Sequence, residues 1–155
     1  MKHKWKPLLI SLAIPLAAGG AGALLSGGMQ EYPGLQRPPL SPPGWVFPIV
    51  WSVLYLLMGY SSYRTYASEA SRADRWKALT FYGIQLFLNF LWPVVFFGLG
   101  WYWAAFIVLL ALWILIYLTM HMFGLIDDTA ENLLIPYLLW VTFAGYLNLG
   151  VALLN

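Results

Sequence analysis

The sequence predicts an all-α integral membrane protein that forms a single domain over residues 1–155. Hydrophobic residues make up 61% of the chain and charged residues only 9%, a composition typical of membrane proteins with several spans. Five apolar runs are each about as long as a helix that crosses a bilayer. They predict a bundle of five transmembrane helices over residues 8–26, 45–63, 78–97, 101–123 and 132–154.

Local signals refine three of these runs. Lysines before the first run and Ala-Gly-Ala at 21–23 also fit a cleavable signal peptide, but we predict a retained helix that Pro15 bends. Rows of small residues at 18/22/26 and 19/23/27 favour close helix packing. Trp92-Pro93 predicts a kink in the third run, and Asp128 or Thr129 is the expected N-cap of the last.

The longest connection covers residues 27–44 and is rich in glycine and proline, so it cannot continue a helix. Connections of this length inside compact proteins are usually lids or binding loops. We therefore predict a lid over a pocket, with Tyr32 and Arg37 as candidate lid residues. A solvated linker is the alternative interpretation.

Aromatic side chains recur every fourth residue at the start of the second run, where Phe47, Trp51 and Tyr55 fall on one helical face. Lipid already solvates apolar side chains, so a face that also carries an indole N–H and a phenol O–H is expected to turn inward. We predict that this face lines a cavity. The alternative is a stripe that faces lipid.

Two further faces carry signals of function. Gln85 and Asn89 lie one turn apart in the third run, and amides at membrane depth should face the bundle interior. They contact either a ligand or a neighbouring helix, and both readings stay open. In the fifth run a large indole, Trp140, lies beside a small alanine, Ala144, which leaves room for a flat ligand. That face comprises Pro136, Trp140, Ala144, Leu147 and Val151.

Several classes of function lack support in the sequence. The chain has no cysteine, and His121 has no second ligand at metal-binding spacing, so no metal site is predicted. A nucleophile–base pair, a nucleotide-binding loop and a basic nucleic-acid surface are also missing from the sequence. Charged residues avoid the depth of the predicted spans, which argues against ion-coupled transport.

Three motifs resemble those of the translocator protein family, also called tryptophan-rich sensory proteins or peripheral-type benzodiazepine receptors. They stand in the family's order and read PPLSPPGWVFPIVWSVLYLLMGYSSY, LNFLWPVVFFG and PYLLWVTFAGYLN. The resemblance is close over the second to fifth runs and looser over the first. It implies a five-helix bundle in a bacterial cell membrane, often dimeric, with a pocket that the first loop closes.

The resemblance also implies the residues that line the pocket. The matching motifs place Trp51, Asn89, Trp140 and Ala144 there, and Phe90 follows Asn89 in the same motif. Tyr32, Phe47, Tyr55 and Leu147 complete the predicted set of ligand-binding residues.

The family implies hydrophobic ligands, namely tetrapyrroles such as protoporphyrin IX, isoquinoline carboxamides and benzodiazepines. No cofactor is required, since porphyrin enters as a ligand. Some bacterial members are described as promoting light-dependent porphyrin breakdown, for which Trp51 and Trp140 would be the catalytic residues. Transport of porphyrins or other hydrophobic molecules is the alternative function. Cholesterol is not predicted, because no Lys or Arg follows Tyr146 to complete the sterol motif.

The distribution of positive charge predicts the orientation in the membrane. With five spans, the side that holds the N-terminus carries most of the Lys and Arg, and the opposite side carries only Arg37. The N-terminus is therefore expected in the cytoplasm and the loop of residues 27–44 outside. The basic side holds Lys2, Lys4, Lys6, Arg64, Arg72, Arg75 and Lys77.

Cysteine labelling in intact cells tests this orientation. A membrane-impermeant thiol reagent should label Gly34→Cys, because its loop faces outside, and should leave Ser71→Cys unlabelled. The chain has no native cysteine to give a background signal. If Ser71→Cys is labelled and Gly34→Cys is not, the orientation is the reverse of the predicted one.

Overall fold

The computed structural model describes residues 4–29 and 32–155, and within them the chain is helical and contains no strand. Lys2, which the charge count included, lies outside the described residues. The helices are α1 Trp5–Leu25, α2 Val46–Tyr66, α3 Arg72–Pro93, α4 Tyr102–Gly124, α5 Asp128–Asn132 and α6 Ile135–Leu154. This part of the chain contains five segments long and apolar enough to cross a membrane. The predicted fold class is confirmed.

The helix ends differ from the predicted spans on the side that holds the N-terminus, here called the basic end. α2 continues to Tyr66, and α3 begins at Arg72 instead of residue 78. Ser71 accounts for the early start, because its hydroxyl oxygen accepts a hydrogen bond from the backbone N–H of Asp74 at 3.1 Å. The basic residues after Ser71 therefore belong to the first turns of α3.

The last span consists of two helices, α5 and α6. The prediction that Asp128 or Thr129 caps it is wrong, because the N-cap of α5 is Asp127. The backbone of Asp127 is extended, and its carboxylate accepts from the N–H groups of Thr129 at 2.8 Å and Ala130 at 3.2 Å. Asp127 also forms an ion pair of 3.1 Å with Arg64, which joins the end of α2 to this turn.

A π-helical turn follows Trp92-Pro93, where the sequence predicts a kink. Residues Val94–Gly98 follow α3 directly, and the N–H of Leu99 bonds to the carbonyl oxygen of Val94 at 3.0 Å. α1, in contrast, runs as one continuous helix through Pro15.

Small residues bring α1 close to its neighbours, as predicted. Gly19 packs against the ring of Tyr55 in α2, and Gly22 packs against the backbone of Phe90 in α3. A Cβ atom on Gly59 of α2 would lie 2.7 Å from the carbonyl oxygen of Ser11. These contacts place α1 against both α2 and α3.

Residues 32–44 of the predicted loop cross α6 at the end of the bundle opposite the basic end, here called the loop end. Pro38 packs against Gly150, and the hydroxyl of Tyr146 donates to the carbonyl oxygen of Pro39 at 2.7 Å. The Asn155 amide accepts from the backbone N–H of Gln36 at 3.3 Å and donates to its carbonyl oxygen at 2.8 Å.

Substitution of Gly59 tests the contact between α1 and α2. Gly59→Leu should lower the free energy of unfolding by about 1–3 kcal/mol, because the side chain would overlap the backbone of α1. Unfolding in mixed micelles with increasing SDS measures the change. Gly145→Leu is the control, since a Cβ there meets no described atom within 4 Å. Equal stability of the two variants would contradict the close packing.

Candidate functional site

A cavity of about 310 Å³, here called the large cavity, lies between α1, α2 and α3 near the loop end. Its α1 wall is built of small residues, including Gly19, Gly20 and Ala23, so the cavity exists because α1 contributes little side-chain volume. Four of the predicted ligand-binding residues line it: Phe47, Trp51, Tyr55 and Asn89.

A second cavity, the small cavity, has a volume of about 30 Å³ and lies beneath the loop between α2, α3 and α6. Both candidate lid residues contribute to it, and the guanidinium carbon of Arg37 lies 4.5 Å from the centroid of the Tyr32 ring. Trp140, Ala144 and Leu147 form its α6 wall, as the spacing in the fifth run predicts.

Four aromatic side chains line both cavities and therefore form the partition between them. They are Phe47, Trp51, Trp92 and Phe97. The rings of Trp51 and Tyr55 are stacked with centroids 5.6 Å apart, and Trp51 also meets Tyr137 edge-on at 6.2 Å. Displacement of these rings would join the two cavities into one.

A chain of hydrogen bonds through the bundle centre, here called the central hydrogen-bond chain, fixes the tyrosines around Trp51. The hydroxyl of Tyr55 donates to Asn89 Oδ1 at 3.0 Å, and Asn89 Nδ2 donates to the hydroxyl of Tyr137 at 2.7 Å. Tyr137 in turn donates to Gln85 Oε1 at 2.6 Å. The sequence left two interpretations open for these amides, and the structure shows the contact with neighbouring helices. Asn89 also lines the large cavity, so contact with a ligand stays a prediction for it.

Phe90 alone among the nine predicted residues lines neither cavity. Its ring lies 6.2 Å from that of Phe87, and its backbone packs against Gly22 of α1. Neighbouring residues on a helix point about 100° apart, so the orientation of Asn89 into the cavity turns Phe90 away from it.

The sequence analysis did not single out Asn148 as part of the site. This buried amide accepts from the Trp92 indole N–H at 2.9 Å and donates to the carbonyl oxygen of Tyr102 at 2.9 Å. It therefore fixes one of the partition rings. An amide within an apolar helix is the same signal that identified Asn89, and this signal could have found Asn148.

The site offers flat aromatic surfaces for stacking, a few hydroxyl and amide groups, and one guanidinium group at the loop. Such a lining suits a hydrophobic, planar ligand with a small number of polar atoms. Together with the fold, it defines a class: an integral membrane protein of five spans with aromatic cavities inside the helix bundle.

Comparison with known proteins identifies the family. The profile of the TspO/MBR family matches residues 11–154, so the chain belongs to that family. A tryptophan-rich sensory protein of Cereibacter sphaeroides is 38% identical over 155 residues, which cover 100% of this chain and 95% of the relative. The translocator protein of Bos taurus is 34% identical over 154 residues, which cover 96% and 89% of the two chains. Protein CrtK of Rhodobacter capsulatus is 37% identical over 138 residues, or 89% and 86%.

Proposed function

We propose that this membrane protein binds tetrapyrroles such as protoporphyrin IX, and planar drug-like molecules such as isoquinoline carboxamides and benzodiazepines, inside the bundle. The observation that carries the proposal is the aromatic partition: two cavities share the faces of Phe47, Trp51, Trp92 and Phe97. Membership of a family that includes translocator proteins and tryptophan-rich sensory proteins supports a receptor-like role.

The size of the cavities supports a ligand that occupies both. Ligand pockets typically measure about 300–1,000 Å³, and the large cavity of about 310 Å³ is at the lower end of that range. A macrocycle is too large for the small cavity of about 30 Å³ as it stands. Binding would therefore move the partition rings and add the space beneath the loop to the site.

The charge at the loop favours a ligand with a carboxylate. Arg37 lines the small cavity, and its guanidinium lies over the Tyr32 ring at the loop end. A guanidinium binds carboxylates through paired hydrogen bonds. The propionate groups of protoporphyrin would reach Arg37 while the macrocycle stacks on the tryptophans below. On the distribution of Lys and Arg, we place this end of the bundle outside the cell.

A second candidate function is light-dependent porphyrin breakdown. It is favoured by the position of Trp51, whose indole contacts Tyr55 and Tyr137 and would also contact the ligand. Light and oxygen would drive the chemistry on the porphyrin itself, and the protein would contribute oxidisable side chains. Transport is a third outcome, which movement of porphyrin across sealed vesicles would reveal.

Filling the small cavity tests binding. Ala144 lines that cavity, so Ala144→Phe should weaken protoporphyrin binding by more than about tenfold. Fluorescence titration of the purified protein in the dark measures the dissociation constant. Ala104→Phe adds the same side chain to an exposed position of α4 and should keep the parent affinity. Unchanged affinity in folded Ala144→Phe would remove this cavity from the binding site.

Conservative replacement of the tryptophans separates binding from chemistry. Phenylalanine keeps a flat ring, so Trp51→Phe and Trp140→Phe should each weaken porphyrin binding by only about 1 kcal/mol. An indole is far easier to oxidise than a benzene ring, so light-driven breakdown of porphyrin should be much slower in both variants. Absorption spectra of the bound porphyrin in light and darkness measure the rates. If both variants degrade porphyrin at the parent rate when the same fraction of protein is occupied, the tryptophans serve only as a scaffold.

A further inference from the structure

The loop side of the small cavity is held by polar contacts. The hydroxyl of Tyr32 donates to the carbonyl oxygen of Pro42 at 2.6 Å. The hydroxyl of Tyr146 donates to the carbonyl oxygen of Pro39 at 2.7 Å and ties the loop to α6. A ligand that passed through the loop would have to break the second bond, which spans the loop and the bundle.

The two indoles in the wall toward the large cavity are also held in place. The Trp92 indole N–H donates to Asn148 Oδ1 at 2.9 Å, and Asn148 is almost fully buried. Trp51 is held by contacts with two tyrosine rings, those of Tyr55 and Tyr137, whose hydroxyls belong to the central hydrogen-bond chain. Rotation of either indole would disturb contacts deep in the bundle.

On the α6 wall, the indole of Trp140 is held by apolar contacts. The ring meets Phe47 edge-on with centroids 5.9 Å apart and lies 5.6 Å from the ring of Phe143. Its Nε1 atom is buried and has no hydrogen-bond partner among the described residues. Trp140 can therefore turn without breaking a hydrogen bond, and its N–H gains from any acceptor that comes within reach.

Beyond Trp140 lies an open groove between α2 and α6, with a volume of about 510 Å³. Its walls are two helical stripes of apolar side chains that face each other: Ile49, Val53 and Leu57 on α2, and Pro136, Leu139 and Phe143 on α6. The stripe on α2 extends over two helical turns, from Ile49 to Leu57, so the groove is about 12 Å long. Val53 is 52% exposed and Leu139 is 65% exposed, so the groove opens toward the bilayer. Trp140 is the one described residue that lines both the groove and the small cavity.

We propose that the groove between α2 and α6 is a lateral access site, through which a planar hydrophobic ligand passes from the bilayer into the small cavity, with Trp140 as the gate. The ligand is the one assigned under Proposed function, and the inference rests on that assignment. A ligand of this class is concentrated in the membrane, where it meets the groove directly. Its acceptor atoms satisfy the unpartnered indole N–H as the ring turns.

A competing route starts at the large cavity, whose lining includes exposed positions of α1 and α2 such as Gly20 and Ser52. A ligand that entered there would reach the small cavity by displacing the partition rings and would never pass Trp140. The two routes therefore differ in whether a block between α2 and α6 changes the rates of binding.

A reversible bridge across the groove tests the proposal. Val53→Cys and Leu139→Cys place two thiols on opposite walls of a chain that has no native cysteine, and a bifunctional methanethiosulfonate joins them. Stopped-flow fluorescence in the dark measures protoporphyrin association and dissociation in lipid nanodiscs. A blocked passage raises the barrier without changing its two end states, so both rate constants should fall about tenfold while the dissociation constant stays the same. Reductant should restore the parent rates.

Two matched controls isolate the groove. Each single variant, Val53→Cys or Leu139→Cys, treated with a monofunctional methanethiosulfonate, measures the effect of an adduct alone, and the bridged protein should be slower than either. Bridging Pro39→Cys to Tyr146→Cys holds the loop on α6 and should leave the parent rates unchanged, because the proposed path does not open the loop.

Parent rates in the bridged Val53/Leu139 protein, or slow rates only in the bridged loop protein, would overturn the access route while the equilibrium titration still supports binding. If the parent protein binds no protoporphyrin at equilibrium, the proposed function fails and this inference fails with it.

Discussion

The structure depends on one constraint: hydrocarbon offers no hydrogen bonds, so a polar group inside the bundle costs free energy unless a protein group bonds to it. The hydrogen bonds that run from Tyr55 through Asn89 and Tyr137 to Gln85 Oε1 satisfy most of the polar atoms of these side chains and join α2, α3 and α6 at the bundle centre. Gln85 Nε2 has no partner among the described residues. The central hydrogen-bond chain also determines where the aromatic rings lie, because its two tyrosines contact Trp51. The cavities occupy the space that remains between the central hydrogen-bond chain and the loop end.

Differences in side-chain size then give the cavities their shape. Gly19 allows the Tyr55 ring to lie against α1, and Ala144 leaves space beside Trp140 on α6. Gly150 admits Pro38, which brings the loop down onto the bundle. A membrane protein gains little from burying apolar surface among its own helices, so this fit of large against small residues supplies much of the packing energy. The same fit leaves the aromatic faces available to a planar ligand.

Most of the fold and much of the site followed from residue spacing. Length and hydropathy determine the spans, and a four-residue period placed Phe47, Trp51 and Tyr55 on one face, all of which line the large cavity. Helix ends were less predictable, because a side-chain cap such as Ser71 acts locally and can outweigh the apolar pattern. Phe90 was included through its motif, although its helical position turns it toward α1. The meeting of Trp92 with Asn148 depends on how two helices pack, which the period within one helix cannot reveal.

The π-helical turn at Val94–Gly98 affects how this protein can be aligned with its relatives. Such a turn holds one residue more than an α-helical turn, so the backbone after Pro93 carries the equivalent of a single inserted residue. A relative with a regular α-helix here would need one residue fewer to present the same cavity wall. Spatial equivalence of Phe97 is therefore defined by the register of backbone hydrogen bonds, and an ungapped alignment through this segment would match side chains that point in different directions.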